Sequence, residues 1–209
     1  MSVAIVFISH SRRDGEMIKN VKTLLENIGH KTIIEEFIPE EKKLPAPYEE
    51  IRSKIQDSDL VFLFLTDNVV STEYTKNWVL FEVGLASASR KRLYVFERQG
   101  EPILYPIPYL TDYNLFSPHN VEDILELQRI VKETTEGGKD LIAAGVGAAV
   151  GTVLGPIGTV GGAILGYLFG PKPKPVRKVR CDNCNISFNY YSEDIPKFKC
   201  PACRTEILL

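Results

Sequence analysis

Leu60-Val61-Phe62-Leu63-Phe64-Leu65 is a run of six apolar residues, entered from Asp59 and left at Thr66. A strand with one wet face alternates apolar and polar residues. A run without alternation suits a strand buried on both faces, as in a parallel sheet covered by helices. Val3-Ala4-Ile5-Val6-Phe7-Ile8 has the same character, and weaker strands are predicted at Lys31–Glu35, Leu93–Phe96 and near Asn114–Phe116. Helical spacing falls between them. Ile18, Val21, Leu24, Leu25 and Ile28 recur at one-turn intervals, with Asp14 placed to cap and Gly29 to stop the helix. Tyr48–Gln56 and Val121–Val131 supply two more helices. Strands alternating with helices predict an α/β fold, a doubly wound parallel sheet of five strands. In such sheets ligands bind at the carboxyl ends of the strands, here the loops Ser9–Asp14, Glu36–Pro47 and Thr66–Lys76.

The stretch Asn77-Trp78-Val79-Leu80-Phe81-Glu82-Val83-Gly84-Leu85-Ala86 reads as a helix that is apolar around almost its whole circumference, hence largely buried. Arg90-Lys91-Arg92 closes it with positive charge near its negative end. Glu82 interrupts the apolar surface, and Trp78 lies one turn before it on the same face. A buried carboxylate costs several kcal/mol unless it is paired, protonated or working. Arg12, Arg90 and Arg92 are the candidate structural partners.

Charge divides the chain. Residues 1–136 carry 16 Lys+Arg against 22 Asp+Glu, and residues 137–209 carry 9 against 5, which argues for separate modules. No signal peptide is visible, so a cytoplasmic location is expected, with membrane association through the tail as an addition. Residues 137–170 form a glycine-rich apolar segment. Leu141–Phe169 holds eight glycines and no charged residue, and Gly147, Gly151 and Gly155 are spaced by four. Small residues at that spacing let helices approach closely. A helical hairpin broken at Gly155-Pro156 is expected, each arm about 20 Å long and short for a bilayer core of about 30 Å. It would lie partly in a membrane or self-associate; the plainer reading is a soluble hairpin covered in an oligomer.

Residues 171–180 read as a Pro/basic linker with five positive charges and no acid. The end, 181–209, contains all four cysteines as Cys181-x2-Cys184, fifteen residues, then Cys200-x2-Cys203. Two such pairs at this distance are the spacing of a four-thiolate zinc ribbon. A segment of 29 residues cannot build a core of its own, so the metal would supply folding energy, with Phe188, Tyr190 and Phe198 packed around it. Four sulfur ligands leave no open position, which makes the zinc structural. A disulfide pair or free thiols is the competing reading. Nothing basic and aromatic enough for nucleic-acid binding appears, and His30 and His119 read as ordinary surface residues. No Walker loop, GxGxxG, nucleophile elbow or second metal site is present.

The strand and loop Val6-Phe7-Ile8-Ser9-His10-Ser11-Arg12-Arg13-Asp14 resembles the first motif of Toll/interleukin-1 receptor (TIR) domains. Trp78-x3-Glu82, preceded by Ser71-x2-Tyr74, resembles the segment carrying the catalytic glutamate of prokaryotic-type TIR NAD hydrolases. The resemblance covers residues 1–136 and implies a flavodoxin-like five-stranded parallel sheet. It also implies cleavage of the nicotinamide–ribose bond of NAD+, by hydrolysis or cyclisation, switched on by self-association. Several family members act in antiviral defence. Glu82 then takes the catalytic position, and His10, Ser11 and Arg12 fall where the first loop faces the nucleotide. Glu36 lies in the loop that gates the family's site, and Trp78 packs at the helix start or stacks on a base.

The chemistry suits a single carboxylate. Nicotinamide departs as a neutral pyridine and needs no general acid, while the transition state places oxocarbenium-like charge on the ribose. A carboxylate preorganised in a dry pocket stabilises that charge. Two alternatives stand beside this reading. One is a non-enzymatic TIR scaffold that signals by protein–protein contact. The other is nucleoside 2-deoxyribosyl transfer, which wants a second acid near the sugar, with Asp67 the weak candidate.

Overall fold

The computed structural model describes residues 3–34, 48–98, 103, 105, 107, 110–117, 123, 126, 127, 129–131, 176–191 and 197–209. Strands β1 (Ile5–Ser9), β2 (Lys31–Ile34), β3 (Leu60–Leu65), β4 (Arg92–Arg98) and β5 (Asp112–Phe116) lie in the order β2-β1-β3-β4-β5. The neighbours from β1 through β5 run parallel, with Val6 opposite Leu60, Leu60 opposite Arg92 and Tyr94 opposite Asp112. This is the flavodoxin-like arrangement that the unbroken apolar runs predict, and all six residues of β3 are buried.

The sheet does not stop at β5. Strands β6 (Val176–Arg180) and β7 (Ser187–Tyr191) form an antiparallel hairpin, and β7 pairs in parallel with β5 through Asp112 opposite Asn189. The result is a seven-stranded sheet ending β5-β7-β6. The expected linker over 171–180 therefore contains strand β6. A separate antiparallel pair joins β8 (Lys197–Lys199) to β9 (Glu206–Leu208).

Alternation within the buried strands separates two apolar layers. Val61, Leu63, Leu65, Leu93 and Val95 share a cluster with Ile51 and Ile55 of α2 (Tyr48–Asp57) and with Val79, Val83 and Ala86 of α4 (Glu73–Ala88). Phe62, Phe64, Tyr94, Phe96 and Phe116 point the other way and form a ladder of rings with centroids 5.0–5.9 Å apart. Edge-to-face and offset pairs at this spacing add to their area burial. The Thr66–Thr75 connection, expected to be irregular, contains a one-turn helix α3 (Asp67–Val70). Thr72 caps α4 by accepting the Thr75 N–H at 3.2 Å.

Helix α4 is only half covered. Glu82 is buried, but Leu80, Phe81 and Leu85 are partly exposed, so the apolar circumference does not translate into full burial. Arg90 and Lys91 close the helix through their backbone, Arg90 donating its N–H to the Ser87 carbonyl at 3.0 Å and Lys91 its N–H to the Ala86 carbonyl at 2.9 Å. Arg90 turns the chain in the left-handed region at φ 54°, Lys91 Nζ donates to the carbonyls of Gln56 and Ser58 at 2.6 Å each, and Arg92 already belongs to β4.

The chain divides into two compact units. The one just described comprises Ile5–Gly15, Thr32–Phe116 and Pro175–Leu209. The other contains α1 (Gly15–Asn27) from Glu16 onward and the helical residues among 123–131. In it Ile18, Val21, Leu24 and Leu25 are buried as their spacing predicts, and Gly29 reverses the chain at φ 89°. His30, expected at the surface, is buried, its Nδ1 accepting the Ala4 N–H at 3.2 Å. A ring nitrogen that satisfies a buried backbone donor explains why a polar residue sits there. Among the described residues no helix is long and apolar enough to cross a membrane. The glycine-rich segment 137–170 and His119 lie outside the described residues.

Candidate active site and metal centre

β1 ends at Ser9, where the chain leaves the sheet at its carboxyl edge. α4 brings Glu82 to the same place. Ser9 Oγ donates to Glu82 Oε2 at 2.5 Å, and both residues are buried, at 1% and 3% exposure. A hydroxyl donating to a buried carboxylate orients it and offsets part of its desolvation. The expected arginine partners sit differently. Arg92 reaches Asp112 at 3.6 Å and lies over the Tyr94 ring, and Arg12 is exposed.

The first loop is tied down by short local bonds. Ser11, 2% exposed, caps a 3-10 turn over Arg12–Asp14 by accepting the Arg13 N–H. His10 is buried, its Nδ1 3.3 Å from the Ile8 carbonyl oxygen. Asp14 accepts from Thr66 Oγ1 and Asn68 Nδ2 at 2.6 Å each, which joins the loop after β1 to the loop after β3. Its carboxylate thus spans two loops, a role that local capping patterns do not announce. Arg13 donates to Ser71 Oγ at 3.3 Å. Trp78 is half-buried among Tyr48, Tyr74 and Phe81, with centroids 5.5, 6.4 and 5.7 Å away. Asp67 opens α3 and is exposed. Glu36 lies outside the described residues.

Two buried polar side chains, Tyr105 and Glu97, were not among the residues that the sequence singled out. Tyr105 is fully buried and donates its hydroxyl to the Lys76 carbonyl of α4 at 3.0 Å. Burial raises its phenol above the ordinary range, and the charge of Glu82 raises it further. Glu97, at 1% exposure, extends the inward row of Leu93 and Val95 on β4. Its Oε1 accepts the Ile103 N–H at 2.6 Å, and its Oε2 accepts from Tyr113 Oη at 2.6 Å and Arg204 Nη1 at 3.2 Å. Its position on a strand of otherwise buried residues was the available signal, since a charge there needs partners.

At the sheet edge, Asn189 Nδ2 and Tyr191 Oη both donate to Asp112 Oδ1 at 2.9 Å. Burial raises the Asp112 carboxyl, while those two bonds and Arg92 pull it back only in part. Phe188, Tyr190 and Phe198 do not surround the cysteines alone. They pack on Tyr113 of β5, with Tyr190 and Phe198 stacked at 4.0 Å and Tyr113 parallel to both.

The four cysteines come together from two turns of the same form. Asn185 N–H closes on the Cys181 carbonyl and Arg204 N–H on the Cys200 carbonyl, each at 2.8 Å. Asn185 and Arg204 follow the second cysteine of each pair in the left-handed region, at φ 59° and 63°. All four Sγ atoms lie within 4.8 Å of one another, with Cys181–Cys203 at 3.5 Å and Cys184–Cys200 at 3.7 Å. Sulfurs on a tetrahedral ion at 2.3 Å stand about 3.8 Å apart, so the set has the shape of a thiolate metal centre. A disulfide would require sulfurs about 2 Å apart, and all four cysteines are free thiols. Hydrogen bonding with Asn183 and Thr205 brings Cys203 down to about 5, whereas burial pushes Cys200 up to about 12.

No protein of curated function matches the chain. A solved structure similar to it is the Clostridium botulinum CMP N-glycosidase BcmB, at 19% identity and a TM-score of 0.42, covering 61% of this chain and 98% of that one. The TIR-domain family model matches residues 6–136, well over half of the chain. With that match on the parallel sheet β2-β1-β3-β4-β5, the chain belongs to the TIR-domain family.

Proposed function

We propose that this TIR domain cleaves the nicotinamide–ribose bond of NAD+, with Glu82 as the catalytic carboxylate. The observation that carries the reading is the Ser9–Glu82 pair: a buried carboxylate, oriented by a hydroxyl, at the carboxyl edge of the sheet. In a site of low dielectric a fixed carboxylate stabilises oxocarbenium charge without the reorganisation that water would need. Ser9 holds the group in one orientation, and the Asp14 bridge fixes the loop that starts beside it. His10, Ser11 and Arg12 follow Ser9 in that loop, and Glu36 belongs to the loop after β2. Self-association through the TIR domain and the glycine-rich segment completes the site and switches the activity on.

The four cysteines hold a structural Zn2+ in this reading. The donor set is all thiolate, and its sulfur spacing suits a tetrahedral ion with no position left for substrate.

The test is NAD+ turnover with chromatographic separation of products, on concentrated full-length protein, wild type beside Glu82→Ala. Loss of turnover in the variant supports the assignment. Turnover that survives Glu82→Ala removes Glu82 from the chemistry, and an inert wild type removes NAD+ as substrate.

A further inference from the structure

We infer that Arg204 and Glu97 are positioning residues for the Glu82 site, coupling the second cysteine turn to the segment that carries Tyr105. The inference rests on the reading of Glu82 as the catalytic carboxylate. Arg204 directly follows the metal-ligand candidate Cys203 and is locked into the turn by its N–H bond to the Cys200 carbonyl. Its guanidinium leaves the turn and reaches Glu97 Oε2 at 3.2 Å, with only 12% of the side chain exposed. Glu97 Oε1 in turn holds the Ile103 N–H at 2.6 Å. Two residues on, the Tyr105 hydroxyl holds the Lys76 carbonyl in the first turns of α4, the helix that carries Glu82. The Ile107 N–H closes on the Tyr105 carbonyl at 2.9 Å.

The conformation of Arg204 supports a purpose beyond the turn. A position at φ 63° favours glycine, because a Cβ there crowds the following carbonyl oxygen. Asn185, at the matching position of the first turn, is a residue that tolerates this region. Arginine is not such a residue, and its side chain is spent on a buried carboxylate rather than on solvent. Glu97 needs that cation, because a buried carboxylate with neutral donors alone is poorly compensated. The cysteine turn therefore sets where Arg204 stands, Arg204 holds Glu97, and Glu97 holds the stretch whose tyrosine is bonded to α4, the helix that carries Glu82.

Arg204→Gly tests the coupling, because glycine keeps the turn and removes the brace. Metal content per chain, measured by elemental analysis, should stay at the wild-type value. The Ile103 amide, followed by NMR hydrogen exchange, should exchange about tenfold faster. Turnover of NAD+ should fall about tenfold in kcat with KM within about twofold, as expected for a displaced group at the reacting centre. Arg204→Lys, which keeps the charge, should recover most of both effects. If Arg204→Gly fails to fold, Arg204→Lys carries the test alone, with a smaller shift of the same two readouts. Unchanged Ile103 exchange with full metal content overturns the coupling whatever the turnover. Accelerated exchange with unchanged kcat overturns the positioning role but leaves Glu82 as proposed. An inert wild type overturns the proposed function, and with it the positioning role, while the exchange readout still decides whether Arg204 braces Ile103.

Discussion

Ser9 Oγ donates to Glu82 Oε2 at 2.5 Å across 73 residues of sequence, and neither side chain reaches the surface. The bond ties the end of the first strand to the middle of the helix that carries the only carboxylate of its apolar stretch. Ser9→Ala removes the donor and leaves the carboxylate in place. The fold should lose about 1–3 kcal/mol, the cost of an unsatisfied buried group. If Glu82 is the catalytic carboxylate of an NAD+-cleaving site, turnover should fall while KM changes little, because Glu82 loses its orientation rather than its charge. Urea unfolding and steady-state kinetics measure the two effects separately.

Glu82→Gln preserves the shape of the side chain and removes the charge. If the charge faces a developing oxocarbenium ion, kcat falls at least about a hundredfold. Stability should hold or rise, since a buried charge is replaced by a neutral group. A melting temperature that drops sharply together with activity would instead mark Glu82 as a structural partner.

The edge strand β5 depends on β7. Asp112 takes two hydrogen bonds from it, and Tyr113 stacks against Tyr190 and Phe198. Deleting residues 175–209 should bare that edge and strip Tyr113 of its cover. Exposed edges of this kind pair with other chains. The shortened protein should show concentration-dependent aggregation in light scattering at temperatures where the full chain stays monodisperse.

If the four thiolates hold a metal, its removal should reach the same junction. A chelator strong enough to strip four thiolates should weaken the near-ultraviolet circular dichroism of the stacked tyrosines and lower the melting temperature, and re-addition of Zn2+ should restore both. Cys200→Ser should show the chelated behaviour without chelator. A near-ultraviolet spectrum insensitive to Cys200→Ser would separate the aromatic stack from the metal centre.

Asp112 gives a pH signature. Its folded carboxyl lies above the ordinary value of 3.8, chiefly through burial. The folded state therefore holds the proton more tightly than the unfolded chain. The stability this provides is fully present below 3.8 and is lost as pH rises through the folded value. Asp112→Asn carries no such penalty. Relative to wild type, its melting temperature should rise between pH 4 and pH 7; a constant difference over that range would assign no raised carboxyl to Asp112.

Much of the parallel sheet was legible because burial on two faces leaves an unbroken apolar run, and Leu60–Leu65 could hardly be anything else. The cysteine turns were legible because two short loops must each present two sulfurs, and that geometry imposes the C-x2-C spacing. Glu82 stood out for the same kind of reason, as one charge on an apolar helix. These are local facts, written in the period and type of adjacent residues.

The partners of those residues are not local. Nothing around Ser9 indicates that its hydroxyl meets Glu82, and nothing around Glu97 indicates Arg204, which lies 107 residues away. The joining of β7 to β5 is made largely by backbone bonds, which any residue type supplies, so Val176–Arg180 reads as a basic linker until the sheet edge takes up the hairpin it begins. Sequence alone determined that this chain has a parallel sheet, a buried carboxylate on a helix and a four-cysteine end. Only the tertiary structure decided that the cysteine segment completes the sheet, because strand pairing is settled by which edges meet in space and not by the composition of either strand.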